Sequence, residues 1–171
     1  MHCRLETPVG TLWIEEADGA VSCVTSRPLS GPEGNAPVLE QAKKELTEYF
    51  AGTRKTFSVP LNPRGTDFQR AVWAALREIP YGETRSYGEI AAAVGRPKAA
   101  RAVGGANNKN PILILTPCHR VIGAGGALVG FGAGLPMKEA LLALEQKYKQ
   151  AKEPGRQPPP GLFLCRRNAA P

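Results

Sequence analysis

Histidine is scarce in this chain of 171 residues, which holds two, His2 and His119, and cysteine is limited to Cys3, Cys23, Cys118 and Cys165. No C-x-x-C pair accompanies them, so a Cys/His zinc site lacks ligands and no metal is expected. The cysteines follow no short repeating spacing, and the N-terminal MHCRLETPVG has no apolar signal-peptide core. Secretion and a disulfide framework are therefore not expected; reduced thiols and a cytoplasmic location (nucleoid-associated, or nuclear in a eukaryote) are. No apolar run approaches the ~20 residues of a membrane-spanning helix, so no membrane partner is expected. Nor is there a cofactor motif. Acidic residues are outnumbered 15 to 22 by lysine and arginine, a net charge of +7. That excess attracts polyanions, nucleic acid first, although surplus surface lysine would produce the same number.

Along the chain, TLWIEEADGAVSCVTS alternates apolar and polar residues around Asp18-Gly19, a two-residue hairpin signal. A loop is expected over 30–37. Leu39, Ala42, Leu46, Tyr49 and Phe50 then recur at helical spacing, with Gly52 as the stop. TFSVPL, Thr56 to Leu61, reads as a further strand. Residues 1–62 thus form a strand-hairpin-plus-helix unit.

A second unit spans 63–150. Thr66 and Gln69 form a capping box ahead of the apolar stripe Phe68, Ala71, Val72, Ala75, Leu76, Ile79. Ser86 and Glu89 open a second helix, stopped by Gly95, and Pro97 predicts a third from Lys98 to about Asn107. The last two have helix-turn-helix spacing. PILILTPC reads as a buried extended run, Gly123 to Gly134 as a glycine-rich loop, and Pro136 to Lys149 as a final helix. The proline-rich 151–171 reads as a flexible tail. The fold class expected is α+β: a small sheet with a helix, followed by a mostly helical domain.

The third helix, PKAARAVGGAN, carries two glycines, each costing about 1 kcal/mol against alanine in a helix interior. Tight helix packing would favour such small residues; so would approach to a narrow groove. A dressed helix is about 10 Å across and a DNA minor groove about 6 Å wide, so a face of Ala99, Ala100, Ala102, Gly105 and Ala106 suits the second. Arg101 is the one large cation there. It is either a solvated side chain or one inserted into the base stack in place of an extruded nucleotide. Arg96, Lys98 and Lys109 flank the helix as phosphate ligands.

In TPCHRVI, Cys118 precedes His119 and Arg120. A thiolate is the reactive form of cysteine, and a basic neighbourhood with an imidazole favours it. An acid would orient the ring. Glu145 is one candidate, which spacing does not select over other acids, and a structural cysteine with a chance neighbour is the plain alternative.

Taken together, SYGEIAAAVGRPKAARAVGGANNKNPILILTPCHRVIGAGGALVGFGAGLPMKEALLALE resembles the C-terminal domain of the O6-alkylguanine-DNA alkyltransferases. The likeness is most specific from Phe68 to Glu145, and PCHRV matches the family's active-site signature. It implies direct-reversal DNA repair: one irreversible transfer of an alkyl group from O6 of guanine, with O4-alkylthymine a further substrate, to Cys118. It further implies that His119 relays the thiol proton through a water, that Glu145 holds the imidazole, and that Asn110 braces the active-site turn. Tyr87 would bond the flipped base and assist departure of guanine. Arg101 would be the finger, with Arg96, Lys98, Ala99, Ala100, Ala102, Gly104 and Gly105 at the DNA. Arg120, Val121, Phe131 and Gly132 would form the pocket, and the carbonyls of Cys118 and Val121 would accept from the guanine amine. The partner implied is double-stranded DNA, bound by a monomer through the minor groove. In GFGAG, Phe131 replaces a common tyrosine and Ala133 a glycine. Three rivals compete: an alkyltransferase-like damage binder, which replaces the cysteine; a helix-turn-helix regulator, which needs no PCHRV; and a cysteine hydrolase, for which no oxyanion motif is present.

Overall fold

Three antiparallel strands in sequence order open the fold: β1 (His2–Thr7), β2 (Gly10–Ala17) and β3 (Ala20–Thr25). The computed structural model describes residues 1–149; the expected tail and Cys165 lie outside them. The β2–β3 turn falls at Asp18-Gly19, both with positive φ (55° and 74°), the backbone that a two-residue hairpin requires. Alternation puts Leu12 and Ile14 on one face, and a bulge in the β2–β3 register at Glu15/Glu16 lets Val21 and Val24, three residues apart, share it; all four are fully buried. Helix α1 (Pro37–Phe50) covers it with Leu39, Ala42, Leu46 and Tyr49. After its C-cap, Gly52 turns the chain at φ 76°, and a Cβ there would stand 2.4 Å from the Tyr148 ring, so position and conformation both demand glycine.

TFSVPL does not form a regular strand. It touches the sheet at one bridge, Leu61 to Val21, through Val21 N–H to the Pro60 carbonyl (2.8 Å) and Asn62 N–H to the Val21 carbonyl (2.9 Å). Pro60 has no N–H to extend a ladder, and the Glu45 carboxylate takes the N–H groups of Ser58 and Val59 (2.9 and 3.2 Å).

Both capping boxes form: Thr66 with Gln69 opens α2 (Asp67–Arg77), and Ser86 with Glu89 opens α3 (Tyr87–Ala93). The third helix, α4 (Ala100–Asn108), begins two residues later than its proline suggests. Ala99 N–H bonds the Arg96 carbonyl (2.8 Å), so Pro97 and Lys98 sit in a tight turn before the helix. Strands β4 (Arg85–Ser86) and β5 (Val121–Ile122) form a short parallel pair, and α5 (Leu135–Tyr148) closes the described chain.

PILILTPC is buried but not extended throughout. Its start joins β3 (Leu113 N–H to Val24 carbonyl, 2.9 Å), and then Ile114 turns it at φ 69°. Asn110 explains the turn. Its Oδ1 accepts from Ile112 N–H (3.0 Å), and its Nδ2 donates to the carbonyls of Ile112 (3.2 Å) and Thr116 (2.9 Å). One amide thus satisfies backbone groups that a strand ladder would otherwise take up.

Helices α2 and α4 are locked by Trp73, whose Nε1–H donates to the Ala106 carbonyl at 2.9 Å from a ring 1% exposed. Trp73→Phe removes that inter-helix hydrogen bond, leaving the carbonyl only its Lys109 N–H (3.2 Å), and opens a void, so urea unfolding should show a loss of about 2–4 kcal/mol. An unchanged midpoint would refute the lock.

Candidate active site

A 3₁₀ turn, Cys118–Arg120, follows the Asn110-braced loop and leads into β5. It buries three consecutive side chains: Cys118 at 2%, His119 at 0% and Arg120 at 5% exposure. The Cys118 sulfur accepts a hydrogen bond from Asn110 Nδ2 at 3.1 Å, so the amide that shapes the loop also holds the thiol. The expected lowering of the thiol pKa is not what its setting produces. Burial pushes it up to about 11, outweighing the Asn110 hydrogen bond and the charge of Lys138, both of which act downward. At rest, Cys118 is a neutral thiol.

Beside it, His119 Nε2 lies 2.7 Å from Glu145 Oε1. A carboxylate only accepts, so Nε2 carries the proton and Nδ1 is left as an acceptor. That Nδ1 is buried and has no protein partner among the described residues. Burial lowers the His119 pKa, opposed by Glu145, and the ring is neutral.

Glu145 is fully buried on α5 yet ionised. Burial acts to raise its pKa, but the hydrogen bonds of His119 and Arg120, with the Arg120 charge, bring it down to about 2. Arg120, expected at the pocket wall, instead clamps this acid: Nε reaches Oε2 and Nη2 reaches Oε1, each at 2.9 Å, while Nη1 donates to the Ile79 carbonyl at 2.6 Å. Gly82 N–H (3.0 Å to Oε2) and the Tyr49 hydroxyl (2.8 Å to Oε1) complete the set.

The remaining residues divide between pocket and surface. Tyr87, at the start of α3, donates its hydroxyl to the Val129 carbonyl at 3.0 Å, tying the glycine-rich loop down. Lys138, fully buried on α5, donates to the carbonyls of Val121 (2.6 Å) and Val129 (2.9 Å). Asn107 Nδ2 reaches the Cys118 carbonyl at 3.4 Å. The two carbonyls expected to meet a guanine amine are therefore already bonded, that of Cys118 by the Val121 N–H as well as by Asn107 and that of Val121 by Lys138. Phe131 is buried at 8% and Gly132 exposed. Gly132 and Asn110 help to line a cavity of about 240 Å³ that reaches Cys23, Arg27 and Asn108.

On α4, Arg101, Ala102 and Gly105 are exposed, Ala99, Ala100 and Gly104 partly so, and Ala106 is buried and leaves the outward face. Arg96 and Lys98 are exposed before it, Arg96 stacking 5.3 Å from the Phe68 ring centre. A Cβ on Gly105 would meet nothing within 4 Å, and one on Gly104 would make ordinary contact with the Tyr87 ring at 3.8 Å. Internal packing does not require either glycine.

Sequence reasoning missed Tyr49, Gly82, Asn107 and Lys138. Tyr49 reads as one more apolar-face residue of α1, and Lys138 as an ordinary helix lysine; only burial beside acceptors sets them apart.

Two family profiles match the chain: 6-O-methylguanine DNA methyltransferase, ribonuclease-like domain, over residues 4–63, and 6-O-methylguanine DNA methyltransferase, DNA binding domain, over residues 67–147. A methylated-DNA–protein-cysteine methyltransferase of Methanosarcina acetivorans is 49% identical over 84% of this chain and 97% of its own length. The constitutive Bacillus subtilis protein of that name is 49% identical over 87% and 98%. Among solved structures, the Mycobacterium tuberculosis O6-methylguanine methyltransferase aligns with TM-score 0.80 at 44% identity, over 88% of this chain and 95% of that one. A crystal structure of Mycobacterium tuberculosis OGT in complex with DNA also gives 0.80, at 46% identity over 86% and 93%. With a buried thiol, an imidazole and an ionised acid set in this shared framework, the chain belongs to the 6-O-methylguanine DNA methyltransferase family.

Proposed function

We propose that Cys118 is the alkyl acceptor of this methyltransferase and that His119 and Glu145 move its proton. The protein repairs DNA by transferring the alkyl group of O6-alkylguanine to its own cysteine. The observation that carries the site assignment is the open Nδ1 of a buried, Glu145-oriented imidazole next to a buried thiol. A thiol near pKa 11 is ionised to the order of one part in ten thousand at neutral pH, so a proton acceptor is needed at the moment of reaction. The Cys118 proton passes to Nδ1 through a water, and Glu145 stabilises the imidazolium. The sulfur then attacks the alkyl carbon in line; the S–C bond forms as the C–O6 bond breaks, and guanine leaves with the electron pair and takes up a proton. Tyr87 and Lys138 supply polarised N–H and O–H groups at the pocket, exchanging their Val129 contacts for the base. A thioether has no ready hydrolytic route, so each molecule reacts once.

The base must leave the duplex to reach so buried a sulfur. Helix α4 is suited to the minor groove: its exposed surface at Ala102 and Gly105 is flat, and glycines that no internal contact requires are accounted for by an external one. Arg101 projects from that surface to fill the vacated stack, and Arg96 and Lys98 bind phosphates. The unit that acts is a monomer, working where the DNA lies, in nucleoid or nucleus.

Incubation with an oligonucleotide containing O6-methylguanine should add one methyl mass to the tryptic peptide bearing Cys118. A Cys118→Ser protein that still demethylates normally would refute the acceptor. Arg101→Ala should slow repair of duplex DNA by about tenfold or more while sparing reaction with a free-base substrate. Equal losses in both assays would remove the finger role.

The buried acid also makes a pH prediction. Glu145 is held at about 2 in the fold, against about 4.3 when unfolded, so its contribution to stability is complete above that unfolded value and is lost as pH falls toward 2. His119, whose pKa burial depresses, adds a loss that begins below about 6.5. Glu145→Gln should flatten the stability profile in the lower window, read by urea unfolding at stepped pH. An unaltered slope there would contradict the assignment of the ionised acid.

A further inference from the structure

The catalytic acid takes one of its bonds from the other half of the molecule. Tyr49 lies on α1, in the N-terminal unit, and its hydroxyl donates to Oε1 of Glu145 at 2.8 Å, the same oxygen that faces His119 Nε2. The side chain is fully buried. Its ring is held from three directions, by Phe50, Phe57 and Tyr81 at centroid distances of 5.3, 5.5 and 5.9 Å, so the hydroxyl has a fixed direction. Packing alone would be served by phenylalanine, and charge compensation of Glu145 is already provided by the two-pronged Arg120 contact and Gly82 N–H. What the phenol adds is a donor on the oxygen that orients the imidazole.

We propose that Tyr49 is a positioning residue for alkyl transfer: its hydroxyl fixes Glu145 Oε1 toward His119 and moderates how strongly that oxygen holds the imidazolium. The N-terminal unit is then part of the proton relay and not merely a support for it. The inference rests on the reading of His119 and Glu145 as that relay. His119 is faced by Glu145 and Lys138 from α5 and by Arg120 on its own turn; Tyr49 is faced by Glu145, Arg120 and Tyr81. Withdrawing one donor from Oε1 concentrates its charge on the remaining partners, so the imidazolium is held more tightly and the carboxylate is freer to rotate.

The test uses the full chain carrying Tyr49→Phe, with Glu145→Gln alongside. Single-turnover demethylation of duplex O6-methylguanine should slow by about 3–10-fold at unchanged DNA affinity. The NMR titration midpoint of His119, told apart from that of His2 by a His2→Gln reference, should move upward. Site-specific 3-fluorotyrosine at position 49 keeps the fold while making a stronger donor, and should move the midpoint the opposite way. If neither Tyr49 change shifts the midpoint or the rate while Glu145→Gln slows transfer, the positioning role is overturned and the relay stands. If Glu145→Gln is also without effect, the relay itself fails.

Discussion

A carboxylate with no exposure to solvent organises this molecule. Removing an ion of that size from water costs several kcal/mol even after relaxation, and the cost is met only where partners surround it. Glu145, on α5, gathers those partners from three other places in the chain: Tyr49 from α1, the Gly82 amide from the α2–β4 connection, and His119 and Arg120 from the 3₁₀ turn. Each is a separate part of the fold, so one charge ties the N-terminal unit, the helical unit and the active-site turn to a common point. The same bonds give the imidazole its tautomer. Structural and chemical demands on Glu145 are therefore the same demand.

Asn110 plays the corresponding role on the thiol side. By bonding Ile112 and Thr116 it lets an apolar run turn through a left-handed isoleucine, and the same Nδ2 group, its two hydrogens shared among three acceptors, also reaches the sulfur. Backbone accounting in a buried loop thus sets where the nucleophile sits. Burial leaves that thiol neutral, which protects it from adventitious oxidation and alkylation, since the thiolate is the vulnerable form. In the proposed reaction, activation waits for the substrate.

The glycine-rich loop completes the site through its backbone. Tyr87 and Lys138 both donate to the Val129 carbonyl, from α3 and α5, and hold the loop across the pocket with groups that the proposed chemistry requires. Phe131 is buried at the place where a tyrosine is common among the alkyltransferases that the sequence resembles, so this position brings no hydroxyl to the interior.

Local chemistry was legible in the sequence. Asp18-Gly19, the two capping boxes, the stop at Gly52 and the stripes of α1 and α2 depend on residues within a few positions of each other, and all appear where the text places them. PCHRV and the lines of resemblance around it marked Cys118, His119, Asn110 and Glu145 in the same way. TFSVPL and PILILTPC read as strands because their composition suits one; Glu45 and Asn110, distant or side-on, took over their backbone groups instead. Arg120 looked like a pocket residue until Glu145 claimed it, and Tyr49 looked like ordinary core. Sequence alone determined the hairpin, the capped helices and which sulfur reacts in the proposed chemistry. The partners of the buried charge were decided only in three dimensions, because the cost of desolvating an ion depends on what the whole fold brings within hydrogen-bond reach.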